Sequence, residues 1–363
     1  MRSLSRLDRP GRRLRQLASA CLVSVALLVI LDSPGTSQAA VPVLTGIRTT
    51  AMAAKGLAPG TTASALGSAP TPHATVPDPT DSSGAPDRIA EPDLPGLGPS
   101  VGVPVPAGWT STVEQVQTGV LLRDYVITRP TVTGPGTLPI LLVLHGHGMT
   151  PAGVARITGF ISTVGKAVVV FPAGFGKSWN AGGCCGLARA AGIDDVSFLT
   201  TVVQDVLASV PGTSAQSVYL AGFSNGGRMA YRMACANPGL FAGVAAVEAV
   251  PVPACAPSRP VSIAIVAYQN DPYLSIAAPE PVQVVRGLEE PRVSDIVAQW
   301  RQVDGCVGNP TVTEVGTAIN SVWSACQNQT RVQYTLYAGG AHRWPQGDGA
   351  TLGASRLIWS FLR

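Results

Sequence analysis

Short runs of apolar residues, each about as long as a β-strand, recur along the chain from residue 139 onward. They occupy residues 139–144, 167–171, 217–221, 243–247 and 261–266. Strands of a parallel sheet are buried on both faces and need such uninterrupted runs. Between and after them, residues 195–210, 293–303 and 352–362 have the apolar spacing of helices. The pattern predicts an α/β fold with a mainly parallel central sheet flanked by helices.

The part of the chain before these runs has a different character. Arginines up to residue 15, an apolar stretch over 17–31 and small residues at 37–39 predict a signal peptide over 1–39, with an uncleaved signal anchor as the alternative. Residues 40–106 are rich in Ala, Pro, Thr and Ser and predict a disordered linker. One folded domain is then expected over 107–363, opening with a hairpin of segments 112–117 and 120–128.

Charge and cysteine content refine this picture. The net charge of +4 comes largely from the first 15 residues, and no basic stripe with interleaved aromatic residues indicates nucleic-acid binding. Six cysteines remain after Cys21 is removed with the signal, which predicts disulfides in a secreted, extracellular protein. We expect Cys306 to pair with Cys326, and Cys235 with Cys255. Cys184 and Cys185 either bridge to each other or take other partners.

The segment 222–226, Gly-Phe-Ser-Asn-Gly, carries the strongest chemical signal. It lies between a strand-like run and a helix-like run, so Ser224 is expected at the apex of a sharp turn. A side chain two residues to either side of such an apex would clash, which explains the flanking glycines. The alternative is an ordinary strand-to-helix turn. In this context the pattern predicts a serine nucleophile at Ser224.

A serine hydroxyl needs a base and a group that orients the base. His342 is the one histidine that follows Ser224, in a glycine-flanked loop between a strand-like run and the last helix, so we predict it as the base. Asp271 follows the apolar run 261–266 and is the predicted acid. Asp295 is the competing acid, but it falls inside a predicted helix.

An oxyanion needs two backbone N–H donors. One is expected from Asn225, the residue after the nucleophile, and the other from His147, in the loop after the first buried run. His145 is expected to hold that loop through its ring. A metal site at His145 and His147, or zinc on the cysteines, is the less favoured alternative, because neither a third histidine nor a paired C-x-x-C spacing accompanies them.

These motifs together resemble the secreted polyhydroxybutyrate depolymerase and feruloyl or acetylxylan esterase group of the α/β-hydrolases. The matching segments are 144–146, 179–180, 184–186, 194–198, 222–227, 233–235 and 339–345. The resemblance implies a serine esterase that acts on acyl groups attached to polymers or small alcohols. It also implies that Trp179 lies near the mouth of the site, where Trp179 and Trp344 are taken as substrate contacts; the alternative for Trp179 is a place at the edge of the core.

The sequence therefore predicts a monomeric, exported serine hydrolase that cleaves carboxylic esters and needs no metal or cofactor. The segment around Asp271 departs from the His-Gly-Thr-x-Asp pattern that members of this group often carry. Two alternatives stay open. One is a peptidase or thioesterase with the same triad, and the other is a catalytically idle binding protein of the cell envelope.

Overall fold

The computed structural model describes residues 102–134, 136–285, 287–348 and 350–363. The predicted signal peptide and all but the last residues of the predicted linker lie outside this part. Within the linker, Val103 is buried in the core and its backbone N–H donates to Ser111 Oγ at 3.2 Å. The folded part of the chain therefore includes residues that the sequence assigned to the linker.

The described residues form twelve strands and seven α-helices. The strands are β1 (Trp109–Thr118), β2 (Leu121–Pro130), β3 (Leu138–Leu144), β4 (Val168–Pro172), β5 (Thr213–Phe223), β6 (Gly243–Val247), β7 (Ser262–Tyr268), β8 (Gln283–Val285), β9 (Leu288–Glu290), β10 (Thr311–Val315), β11 (Ala318–Trp323) and β12 (Val332–Tyr337). The helices are α1 (Pro151–Thr158), α2 (Phe160–Thr163), α3 (Gly186–Ala190), α4 (Asp195–Ser209), α5 (Asn225–Ala236), α6 (Val293–Val303) and α7 (Ala354–Leu362).

Ten strands form one sheet in the order β1-β2-β4-β3-β5-β6-β7-β12-β11-β10. The six central strands from β4 to β12 are parallel to one another, and the outer pairs are antiparallel. All five apolar runs of the sequence lie in this parallel centre, and the predicted hairpin is β1–β2. The predicted fold class is confirmed.

The core lies in two layers, one on each face of the sheet. Alternate residues of a strand point to opposite faces, and in β3 Ile140 and Leu142 join one cluster whereas Leu141 and Val143 join the other. Helices α4, α5 and α6 cover the first face, and α1, α2 and α7 cover the second. Both faces of the central strands are thus dry, as their continuous apolar sequences require.

Strands β10 and β11 and the hairpin β8–β9 were not recognised in the sequence. The first four residues of β10 are exposed, so this edge strand has no apolar run to mark it. Hairpin β8–β9 forms a separate two-stranded sheet between β7 and α6. In the described residues no helix is both long and apolar enough to cross a membrane.

The structure contains the two disulfides that the sequence favoured, and it joins Cys184 to Cys185, one of the two alternatives left open for them. Disulfides connect Cys306 with Cys326 and Cys235 with Cys255, each across 20 positions of sequence, and Cys184 with its neighbour Cys185. The second of these ties the last turn of α5 to the segment that follows β6. The bridge between Cys306 and Cys326 ties the segment after α6 to the segment after β11.

A buried ion pair lies beneath the first strands of the sheet. Arg123 of β2 donates to the carboxylate of Asp195 at 2.7 Å, and both side chains are almost fully buried. The other Asp195 oxygen accepts the Asn180 N–H at 2.7 Å, while the guanidinium lies over the Phe198 ring and also donates to the Ala173 carbonyl. Neighbouring Asp194 caps α4 by accepting from Ser197 N–H at 3.0 Å.

Removal of one partner from a buried ion pair leaves an uncompensated charge. We expect Arg123→Ala to lower the free energy of unfolding by about 3–5 kcal/mol, measured by denaturant unfolding with the disulfides intact. The control is Arg292→Ala, because Arg292 forms a partly exposed pair with Asp295 at 3.3 Å; its loss should cost less than about 1 kcal/mol. Equal effects of the two substitutions would contradict the importance of the buried pair.

Candidate active site

Ser224 lies at the apex of the turn between β5 and α5. Its φ of 54° and ψ of −117° place it in a region that residues with side chains rarely adopt. The conformation is held by two backbone hydrogen bonds, from Ser224 N–H to Val247 O and from Arg228 N–H to Ser224 O, each 2.9 Å. The turn lifts the serine hydroxyl above the carboxyl edge of the sheet.

The glycines on either side of Ser224 are required by close backbone packing. A Cβ on Gly222 would lie 2.1 Å from the Gly226 carbonyl oxygen, and a Cβ on Gly226 would lie 2.4 Å from the carbonyl oxygen of Leu144. Neither contact can be relieved by a side-chain rotation. The spacing seen in the sequence therefore reflects how tightly the turn is pressed against itself and against the end of β3.

His342 lies in the loop between β12 and α7 and reaches Ser224. Its Nε2 is 2.7 Å from Ser224 Oγ, and its Nδ1 is 2.6 Å from Asp271 Oδ2. The Phe223 ring packs near the imidazole at a centroid distance of 5.4 Å, and the Tyr273 ring meets it edge-on at 4.9 Å. The structure thus brings the three residues predicted as nucleophile, base and acid into one hydrogen-bonded row.

Asp271 follows β7 and is 5% exposed. Burial opposes its charged form, but hydrogen bonds from the His342 ring, from Glu248 and from the Tyr273 N–H hold the pKa of Asp271 below its usual range. The Tyr273 bond is 2.7 Å long. Asp295, the competing acid, instead lies in the first turn of α6 with Arg292 as its partner. The geometry therefore favours Asp271 over Asp295.

Asn225 and His147 line the cleft next to Ser224. As the first residue of α5, Asn225 has a backbone N–H without a partner inside the helix. Its side chain is held by Trp179, because the amide accepts from Trp179 N–H at 2.7 Å and donates to Trp179 O at 3.0 Å. The structure thus brings the two residues predicted as oxyanion donors, Asn225 and His147, to the same cleft as Ser224.

His145 holds the loop after β3. Its buried ring donates from Nδ1 to the Gly146 carbonyl at 2.8 Å and accepts the Gly174 N–H on Nε2 at 2.9 Å. Burial lowers the pKa of His145 to about 4, so the ring is neutral at ordinary pH. Both ring nitrogens are used by the backbone, which is the structural role expected from the sequence.

The two tryptophans predicted as substrate contacts lie in the core. Trp179 is fully buried and donates from its indole N–H to His145 O at 2.9 Å. Trp344 is 3% exposed, donates to Ser355 Oγ and packs against Phe160. The structure does not bring either ring to the lining of the cleft. Trp179 takes the alternative place, at the edge of the core, where it supports the loops around Ser224.

A cleft of about 410 Å³ opens over the serine. Besides Ser224 and His342, its lining includes His147, Cys184, Cys185, Arg228, Tyr273 and Glu290. Arg228 lies one helical turn after Ser224 and pairs with Glu290 of β9 at 2.6 Å, with both side chains largely buried. The ion pair thereby links α5, the helix that follows Ser224, to hairpin β8–β9, which forms one wall of the cleft.

Sequence reasoning missed two residues of this site. Arg228 had no signal beyond its spacing of four residues from Ser224. Glu248 lies directly after β6, and it lines the cleft next to Asp271 and His342. Glu248 follows a buried parallel strand, at the same carboxyl edge of the sheet as Asp271. This position is the signal that could have identified it.

Two curated proteins are similar to the chain in sequence. It is 29% identical over 234 residues to "Putative esterase NocK" of Nocardia uniformis subsp. tsuyamanensis, covering 59% of this chain and 67% of that protein. It is 26% identical over 204 residues to "Probable feruloyl esterase C" of Aspergillus terreus, covering 54% of this chain and 65% of that protein. The chain thus spans about two thirds of the length of each relative.

Both relatives are named esterases. The comparison thus supports the predicted class of enzyme, a carboxylic ester hydrolase. No family model matches the chain.

Solved structures with a related arrangement include an acetyl xylan esterase from Aspergillus awamori, at a TM-score of 0.48 and 14% identity, which covers 69% of this chain and 100% of that chain. Another is the feruloyl esterase module from Clostridium thermocellum, at a TM-score of 0.41 and 10% identity, which covers 71% of this chain and 88% of that chain.

The packing of the serine turn gives a stability prediction. We expect Gly226→Ala to lower the free energy of unfolding by about 1–3 kcal/mol or more, because the new methyl group overlaps the backbone of β3. The matched control is Gly153→Ala in α1, where the nearest atom to a Cβ is 3.4 Å away; this change should be neutral or slightly stabilising. Thermal and denaturant unfolding measure both, and an unchanged Gly226→Ala protein would contradict the close packing.

Proposed function

We propose that this chain is an exported serine esterase that hydrolyses carboxylic esters through Ser224, His342 and Asp271. One observation carries the proposal: a single imidazole lies within hydrogen-bond distance of both the serine oxygen, at 2.7 Å, and a buried carboxylate, at 2.6 Å. That arrangement is what a weak hydroxyl nucleophile needs at neutral pH.

In the proposed reaction, Ser224 Oγ attacks the ester carbonyl carbon while its proton moves to His342 Nε2. The carbonyl becomes a tetrahedral oxyanion, which the backbone N–H groups of His147 and Asn225 stabilise. His342 then gives its proton to the alcohol oxygen, the C–O bond breaks and the acyl group stays on Ser224. A water molecule repeats the sequence and releases the carboxylic acid.

Asp271 has a defined part in this scheme. Its Oδ2 accepts the Nδ1–H of His342, which keeps the tautomer that presents a lone pair on Nε2 to the serine. The negative carboxylate also stabilises the imidazolium that forms during each step. The low pKa of Asp271 supports this part, because the carboxylate remains charged at neutral pH.

We propose that the substrate belongs to the feruloyl, acetyl-xylan or hydroxybutyrate class of esters. The support is the naming of one relative as a feruloyl esterase and an open cleft with a Tyr273 ring at its edge. The aromatic edge fits a planar acyl group. The disulfides of the described residues support export to an oxidising compartment.

The decisive variant is Ser224→Ala. We expect it to lower kcat/KM on a short-chain nitrophenyl ester by at least about a thousandfold, because no other group can form the acyl intermediate. Labelling by a fluorophosphonate probe should disappear together with activity. The control is Ser360→Ala, an exposed serine of α7, which should match the parent. Full activity in Ser224→Ala would refute the proposed function.

The choice of acid is tested by a second pair of variants. We expect Asp271→Asn to lower kcat by roughly a thousandfold or more, since the amide no longer fixes the required imidazole tautomer. Asp295→Asn removes the competing candidate for the acid and should leave kcat unchanged. The reverse ranking of the two variants in initial-rate measurements would exclude Asp271 as the acid of the triad.

Amide, thioester and ester substrates measured side by side separate the esterase from a peptidase or thioesterase.

A further inference from the structure

Glu248 is a buried acid for which the proposed reaction has no use. It directly follows β6, is 1% exposed and has a φ of 50°. Its backbone N–H donates to Val266 O of β7 at 2.9 Å. A buried acid at a conformation that disfavours side chains is costly to maintain.

The Glu248 carboxyl group is divided between two partners. Oε1 accepts the Tyr268 backbone N–H at 2.8 Å. Oε2 is buried and receives no donor among the described residues, and the Glu248 side chain lies within reach of a hydrogen bond to the Asp271 carboxyl group. One ligand atom each from Glu248, Asp271 and His342 lie within 4.8 Å of one another. Two carboxyl groups this close need one proton between them.

The surroundings decide which of the two acids holds that proton. Asp271 accepts hydrogen bonds from the His342 ring and from the Tyr273 N–H, and both favour its charged form. Glu248 has one backbone donor. Burial, followed by the hydrogen bond to Asp271 and the charge of Asp271, raises the pKa of Glu248 to about 11. The proton therefore belongs on Glu248.

The other charged and titratable groups near Glu248 do not reverse this order. From α5 and β9, Arg228 and Glu290 line the same cleft, and the guanidinium is already paired with Glu290 at 2.6 Å. From β12, the phenol of Tyr334 is neutral, because burial raises its pKa. His342 directs both ring nitrogens to Asp271 and Ser224, so none is left to bind a metal between the three residues.

We infer that Glu248 is a positioning residue: its neutral carboxyl group donates a hydrogen bond to the Asp271 carboxylate, so that Asp271 alone carries the negative charge beside His342. The inference rests on the proposed function, because it assigns Glu248 to the same row of residues. With this donor Asp271 has three hydrogen-bond partners, and its carboxylate is fixed in the plane that meets the imidazole.

The first test compares two substitutions at this position. In Glu248→Gln the amide can donate to Asp271 and still accept from Tyr268, so kcat/KM should stay within about threefold of the parent. In Glu248→Ala the donor is lost, and we expect kcat to fall by roughly tenfold or more with little change in KM. The acid limb of the pH profile should not move in Glu248→Gln. An equal loss in both variants, or an acid limb displaced by the glutamine, would overturn the inference.

The second test needs no activity. A free glutamate ionises near pH 4.3, whereas folded Glu248 keeps its proton up to about pH 11. Across this window the folded state binds one proton more than the unfolded chain, so this group lowers stability as the pH rises. Glutamine does not titrate. The folding equilibrium constant of Glu248→Gln relative to the parent should therefore rise about tenfold per pH unit between roughly pH 5 and 8.

Denaturant unfolding at several pH values measures this ratio, with Glu314→Gln on the exposed β10 strand as the matched control. A constant ratio for Glu248→Gln would refute the neutral carboxyl group. The stability measurement also separates the two proposals. An inactive parent with the expected pH slope would contradict the proposed function and support the neutral Glu248. An active parent without that slope would support the proposed function and contradict the neutral Glu248.

Discussion

The absence of space around the serine turn is the constraint on which the rest of the site depends. The backbone of Gly226 lies so close to the end of β3 that not even a methyl group fits between them. This contact sets the distance between the turn that carries Ser224 and the loop that carries His147. The proposed oxyanion hole takes its donors from these two segments and requires such a fixed distance, because a donor displaced by about 1 Å loses most of its effect.

The turn is also supported from beneath. The ion pair of Arg123 and Asp195 holds the Asn180 N–H, and the adjacent Trp179 exchanges two hydrogen bonds with the side chain of Asn225. A strand near the edge of the sheet is thereby connected to the first residue of the nucleophile helix. Each of these contacts joins a buried polar group to a defined partner. Loss of one hydrogen bond therefore leaves the neighbouring polar group buried without a partner.

The sequence was informative where chemistry and burial follow from local pattern. Continuous apolar runs identified the parallel strands, and the order of Ser224, Asp271 and His342 along the chain pointed to residues that the fold brings together. Exposed strands such as β10 gave no such signal. The places of Trp179 and Glu248 depend on which side chains surround them, and a protonation state depends on charges from other strands. Neither property can be read from a residue and its neighbours in sequence.

The disulfides have a consequence for how the protein reaches its final pairing. Two bridges span 20 positions each, and the remaining one joins adjacent residues. Closing a short loop costs less chain entropy than closing a long one. For the two bridges of 20 positions, each cysteine is thus joined to the partner that it meets most often in an unfolded chain, and oxidation before assembly of the sheet favours these two pairs. Expression hosts that oxidise thiols early are consequently compatible with this protein, since rapid oxidation and correct pairing proceed in the same direction.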